Sequence, residues 1–210
     1  MEKVSIDKYD IIRSGHQLMK RFEIIESVIK KYKHSISKIS EFGCGSGKMA
    51  FLLAKKFTDK EFLASDVRED FIEYAKNKYK LKNLRFKLFD LEKETIKKKF
   101  DFIYTIDVIH HLRNQKRAIE NIYNGLKKDG LWLTIEPNSL NPYIFLTHKL
   151  AQDENTFKHR FLRKYKILMK GYTIFFPHYF KVNAFMRCVE EKVEKFPLFG
   201  GSVYHLIQKQ

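Results

Sequence analysis

Four carboxylates, three glycines and two histidines carry most of the chemical information in this chain. Glu41, Asp66, Asp90 and Asp107 each stand at or just past the end of a short apolar run. Gly43, Gly45 and Gly47 occupy alternate positions directly after Glu41, and His110 and His111 follow Asp107 closely. Carboxylates accept hydrogen bonds from hydroxyl, amine and ammonium groups. Glycine has no Cβ, so it tolerates positive φ and lets a ligand lie against backbone. A helix start adds free N–H groups for polar or anionic ligand atoms. The set describes a cradle for a polar ligand, with titratable imidazoles nearby for proton transfer.

Such a cradle needs elements that bring its parts to one place. Residues 36–42 alternate apolar and polar and run into the glycines; Met49, Ala50, Phe51, Leu52, Leu53 and Ala54 then open a helical pattern. The pattern predicts strand, tight turn and helix. Further strands are expected at 61–66, 84–89, 100–106 and 131–135, and helices at 47–57, 70–79 and 114–127. Strand-then-helix units at this spacing predict a parallel sheet with helices on both faces. The carboxyl ends of parallel strands share one edge, so the four acids would line one cleft.

The flanks read differently. Residues 7–33 have helical apolar spacing, with a break at Gly15. The lysine-rich 93–99 stretch has no apolar face and reads as an exposed connection. Residues 139–170 are basic and aromatic, above all at 157–166. A strand at 172–176, a helix at 182–194 and a last strand near the C-terminus complete the pattern.

Two familiar cradles fit poorly. The phosphate loop requires glycine, four residues and then Gly-Lys-Ser/Thr, but Phe42 stands at the first glycine and Met49 at the hydroxyl position. The dinucleotide fingerprint places Lys48 where its third glycine belongs, although Asp66 suits a dinucleotide ribose. The stretch Glu41-Phe42-Gly43-Cys44-Gly45-Ser46-Gly47 instead resembles the first motif of class I S-adenosylmethionine-dependent methyltransferases. Asp66 resembles that family's ribose-binding acid, and Asp90-Leu91 its adenine-side pair. Residues 100–112 resemble the fourth motif, in the small-molecule form ending in His-Leu, and 126–136 the fifth strand with its preceding turn.

The resemblance implies a Rossmann-like three-layer α/β sandwich with a mostly parallel seven-stranded sheet whose last strand is antiparallel. It implies S-adenosyl-L-methionine as cofactor, held by Glu41, Gly43, Gly45, Gly47, Asp66, Val67, Asp90, Leu91, Ile106 and Asp107. One domain over 1–210 is expected: a helical cap at 1–35, a cofactor core at 36–136, an acceptor-side segment at 137–181, and a closing helix and strand at 182–210. The expected activity is methyl transfer by in-line displacement to a small-molecule or lipid-like acceptor. Such a reaction needs alignment and a dry pocket, and a base only where the acceptor must lose a proton. His111 and His110 are the candidates for that base, with a packing role for His111 as the competing reading. Tyr143, Tyr172 and His178 are candidates for the acceptor side.

The formal charge of +16 favours acidic partners, and lysines on solvated faces account for it equally well. An RNA methyltransferase using 157–166, or an inactive ligand-binding relative, are the alternatives. The Asn/Asp-Pro-Pro-Tyr/Phe motif of base methylases is absent after the fourth strand, where Ile106-Asp107-Val108-Ile109 stands. Cys44 and Cys188 form no CxxC pair, so no metal framework is read, and Cys44 reads as a small filler in the turn. No apolar run has transmembrane length, and a cytoplasmic location is expected.

Overall fold

The computed structural model describes Ile6 and residues 15–150, 157–174, 176 and 182–210. The apolar runs become strands because alternate side chains can bury on both faces of one covered sheet. β1 (Lys38–Phe42), β2 (Glu61–Asp66), β3 (Leu84–Leu88), β4 (Phe100–Ile106) and β5 (Leu126–Pro137) pair in parallel. β6 (Lys166–Thr173) and β7 (Ser202–Gln208) complete a seven-stranded sheet in the order β3-β2-β1-β4-β5-β7-β6. β7 runs antiparallel to both β5 and β6, the reversed last strand that the resemblance implies. Chain order reverses between β1 and β4, so a crevice is expected outside their carboxyl ends.

Helices cover both faces. α1 (His16–Lys31), α2 (Lys48–Lys56) and α3 (Glu69–Lys78) supply one core with Ile25, Ile29, Leu53 and Ile72. On α1 the buried residues Phe22, Ile25, Val28 and Ile29 recur at helical spacing, which gives it one apolar stripe. α4 (Gln115–Gly125) packs Ile119 and Ile122 into the second core, around Ile103 and Trp132. α5 (Pro142–Leu150) and α6 (Ala184–Val193) follow β5 and β6. No helix among the described residues is long and apolar enough to cross a membrane.

Several boundaries differ from the sequence expectation. The break at Gly15 is as expected: the first described helix begins at His16, with Gly15 at φ 90° just before it, and residues 7–14 of the expected helix lie outside the described residues. α4 stops at Gly125 and the following residues join β5, where Leu126 pairs with Phe100. β6 starts at Lys166, not 172, because its pairing with β7 extends from Lys166–Gln208 to Thr173–Ser202. Its lysines disguise a strand, and charge on an edge strand discourages further pairing. The 93–99 connection is exposed as expected, except that Ile96 is buried.

Candidate functional site

The glycine turn is built from backbone geometry. Gly43, Gly45 and Gly47 all have positive φ, at 75°, 52° and 81°. The N–H groups of Gly43 and Cys44 both donate to Ser65 O, at 2.7 and 2.9 Å. Gly45 N–H donates to Asp66 Oδ2 at 2.8 Å. Gly47 is the left-handed N-cap of α2. A Cβ on Gly43 would fall 2.3 Å from Val108 Cγ2, and one on Gly47 2.6 Å from the Phe86 ring. Cys44 is buried; burial first, then Glu41 and Asp66, pushes its thiol far above the usual range, as suits a filler and not a nucleophile.

The turn also gathers the acids. Asp66 Oδ1 accepts Arg68 N–H at 3.0 Å, so each of its carboxylate oxygens is oriented by backbone. Phe89 N–H donates to Asp66 O at 2.9 Å, which sets Asp90 beside the end of β2. Asp90 Oδ1 accepts from Glu92 N–H at 2.9 Å, and its Oδ2 lies 3.2 Å from Lys93 Nζ. Burial raises the Asp90 pKa, but the bonds from Lys93 and the Glu92 and Lys93 amides outweigh it and hold the carboxyl below its ordinary range. Val67 is 61% exposed, leaving an apolar surface beside Asp66. The side chains of Leu91 and Ile106 are buried; only their backbones are suited to face a ligand.

Two acids have protein partners that the sequence did not disclose. Glu41 is buried and accepts from Tyr104 Oη at 3.0 Å, so it supports the turn from within the core. Asp107 has φ 52°, and its Oδ2 accepts from Arg21 at 2.7 Å. Arg21 thereby ties α1 to the carboxyl end of β4. Asp101 accepts the N–H groups of Ser37 and Lys38 and pairs with Lys127 at 2.6 Å, a local structural role.

The histidines separate. His110 is buried, with Nδ1 2.7 Å from Glu136 Oε2. Glu136 is fully buried and also accepts N–H groups from Val108, Ile109 and His110, at 3.3, 3.0 and 3.3 Å. One carboxylate at the end of β5 thus holds the whole turn after β4. The packing role expected of His111 belongs to His110, while His111 is exposed with its ring 3.9 Å from that of His110. Of the acceptor-side candidates, Tyr143 is exposed, Tyr172 is half-buried, and His178 lies outside the described residues.

Sequence reasoning missed Arg21, Glu136 as an organiser, and the closure between α1 and the C-terminal region. Lys20 Nζ lies 2.9 Å from Glu194 Oε1, His16 bonds Glu190, and Glu194 Oε2 accepts Ile174 N–H at 2.9 Å. The available signal was basic residues placed among the apolar positions of α1. Within 157–166, Phe157 is buried and Phe161 and Tyr165 pack against the second core, leaving the basic residues outside.

The sheet order is Rossmann-like, with the left-handed glycine turn and Asp66, Asp90 and Asp107 at its carboxyl edge. The Methyltransferase domain family matches residues 40–132. The chain is 28% identical over 134 residues to malonyl-[acyl-carrier protein] O-methyltransferase of Bacillus cereus, covering 62% of this chain and 47% of that protein. It is 26% identical over 131 residues to juvenile hormone acid O-methyltransferase of Bombyx mori, covering 58% and 47%. The chain thus spans about half the length of these curated relatives. The plantazolicin methyltransferase BpumL, solved in complex with SAH, has the same fold with a TM-score of 0.66 at 15% identity, over 97% of this chain and 91% of that one. The matched segment takes in Glu41, the glycine turn, Asp66, Asp90 and Asp107, and the fold is that of solved S-adenosylmethionine-dependent methyltransferases.

Proposed function

We propose that the protein transfers a methyl group from S-adenosyl-L-methionine to a small-molecule or lipid-like acceptor by in-line displacement. The observation that carries this is the glycine turn closed on Asp66: three positive-φ glycines, with Gly45 N–H donating to the same carboxylate that suits a ribose. A side chain at 43 or 47 would collide with Val108 or Phe86, so the turn admits only glycine at these positions. The donor set fits the cofactor. Asp66 suits its ribose hydroxyls, Val67 and Asp90 its adenine face and amine, and Gly43 and Gly45 its methionyl portion. Glu41 acts from below the turn, and Leu91 and Ile106 through their backbones. When bound, the cofactor supplies an activated methyl group on a sulfonium.

The protein's own contribution is alignment and exclusion of water. Asp107, fixed by Arg21, holds α1 over the end of β4. Glu136 fixes the 108–110 backbone beside the turn. His110 Nδ1 is committed to Glu136, so a base role, if the acceptor needs one, falls first to the exposed His111. The acceptor approaches from the segment after β5, where Tyr143 is exposed. Two of the curated relatives are named as O-methyltransferases, of malonyl-[acyl-carrier protein] and of juvenile hormone acid, and another as an N-methyltransferase of (S)-coclaurine; the charge of this chain favours an acidic acceptor among such small molecules. A cytoplasmic location accompanies this reading.

Calorimetry with S-adenosylhomocysteine and with NAD tests the donor side: the first is expected to bind and the second not. Absence of S-adenosylhomocysteine binding would sink the reading. A methyl-transfer screen with labelled donor over metabolite, lipid and RNA fractions tests the acceptor side. Label confined to RNA would replace the small-molecule acceptor with a nucleic acid.

A further inference from the structure

A cavity of about 320 Å³ opens on the sheet face opposite α1 and α2. It exists because no helix crosses that face between β3 and β4; residues 89–99 pass as a turn and an extended stretch. Its interior is apolar and largely aromatic, with Phe42, Leu63, Phe89, Ile96 and Phe100 in the lining. The ring centroids of Phe42 and Phe89 lie 5.4 Å apart, and those of Phe42 and Phe100 6.4 Å apart. The mouth is basic. Lys87, Lys97 and Lys98 line it and are exposed, with Glu94 the acid among the lining residues. Glu94 is already engaged, since its Oε1 accepts Asp90 N–H at 2.9 Å. Lys87 Nζ sits 5.4 Å from the Phe89 centroid, placing a cation at the edge of the aromatic interior.

Apolar depth beneath a cationic rim selects one ligand chemistry. A hydrocarbon tail gains from leaving water for the aromatic floor. A carboxylate or phosphate head gains from the lysines. A neutral apolar molecule forgoes the second gain, and a small hydrophilic anion forgoes the first. The volume stands at the low end of ligand sites, which run from about 300 to 1,000 Å³. We propose that this cavity is a second binding site, separate from the glycine cradle, for an anionic amphiphile with a medium-length hydrocarbon tail.

The site is separate but adjacent. Phe42, Ser65 and Phe89 line the cavity, and each immediately precedes a cradle residue: Gly43, Asp66 and Asp90. Ser65 O also receives the Gly43 and Cys44 N–H groups. A tail against these residues touches the strand ends that carry the cradle, so any coupling between the two sites must be reciprocal.

Calorimetry on the full chain with octanoate, octyl phosphate and octanol tests the proposal without relying on the donor reading. At least one octyl anion is expected to bind, with octanol at least about tenfold weaker; comparing the two anions tells carboxylate from phosphate. Reversing the rim with Lys97→Glu and Lys98→Glu together should weaken the anion by at least about tenfold. Both lysines are exposed, so this variant keeps the fold. Leu63→Trp should fill the cavity and abolish binding. Saturating S-adenosylhomocysteine should leave the octyl anion bound. The proposal is overturned if neither anion binds, if octanol binds as well, if the lysine reversal changes nothing, or if S-adenosylhomocysteine displaces the anion completely. A protein that binds the octyl anion but not S-adenosylhomocysteine would retain this site and lose the donor reading alone.

Discussion

Asp66 holds a loop, and under the proposed function it also holds a ligand position. Its two oxygens accept Gly45 and Arg68 N–H groups, and a carboxylate oxygen keeps capacity for a second donor. Asp66→Ala should therefore weaken S-adenosylhomocysteine binding by at least about tenfold, roughly 1.4 kcal/mol; unchanged affinity by calorimetry would remove Asp66 from the cradle. Glu136 is the stricter case, because it is fully buried beneath three N–H groups and an imidazole. In Glu136→Gln an amide NH2 must face donors where an oxygen accepted. A stranded buried donor costs about 1–3 kcal/mol, which a urea unfolding curve would register as a lower midpoint. His205 adds a pH response. Burial pushes its pKa down to about 3, with His159 and Lys170 adding to the effect. An unfolded histidine titrates near about 6.5, so between those values the unfolded chain binds a proton that the folded chain refuses. Stability should be fully present above pH ~6.5 and decline as pH falls toward 3. The midpoint in urea at pH 5 should lie below that at pH 7.5, and His205→Leu should flatten the difference.

At the scale of elements, the glycine turn shows how a helix start is placed against a strand end. Gly43 needs φ 75°, and a Cβ there would meet Val108 at 2.3 Å. Gly43→Ala should cost roughly 1–2 kcal/mol for the left-handed backbone alone. It also displaces the 108–110 turn, so donor binding should fall more than global stability does. Thermal melts and S-adenosylhomocysteine titrations on the same variant check both; parallel losses would show a purely structural glycine. α1 was legible as a helix from its apolar stripe. Its docking was not, because it depends on Lys20 meeting Glu194 and Arg21 meeting Asp107, partners 174 and 86 residues away in the chain. β6 was obscured for a similar reason: a lysine-rich edge strand becomes a strand through its neighbour β7, more than through its own pattern.

For the whole molecule, the +16 charge and the placement of the aromatics must be read together. Phe157 is buried and Phe161 and Tyr165 are half-buried against the second core, which reduces the stacking surface of the 157–166 segment while its lysines and arginines stay exposed. Polyanion binding should then be governed by counterion release and carry no base preference. Oligo-uridine and an abasic oligomer of equal length should bind alike, with affinity falling steeply as salt rises; a clear preference for bases would favour the RNA reading.

The chain by itself determined the parallel strands, the glycine turn and the register of acids at strand ends. These are local or periodic properties: alternation specifies a strand, and successive parallel strands must end on one edge. The resemblance of those motifs supplied the reversed last strand and the cofactor class. Tertiary structure decided which acids meet protein side chains and which are held by backbone. Glu41 meets Tyr104 and Asp107 meets Arg21, whereas Asp66 is held by backbone alone. It also decided between the two histidines, since only the arrival of Glu136 at the end of β5 fixes His110 and leaves His111 outside. The physical reason is that hydrogen bonding and burial belong to pairs of groups, and the partners here are brought together only by the sheet.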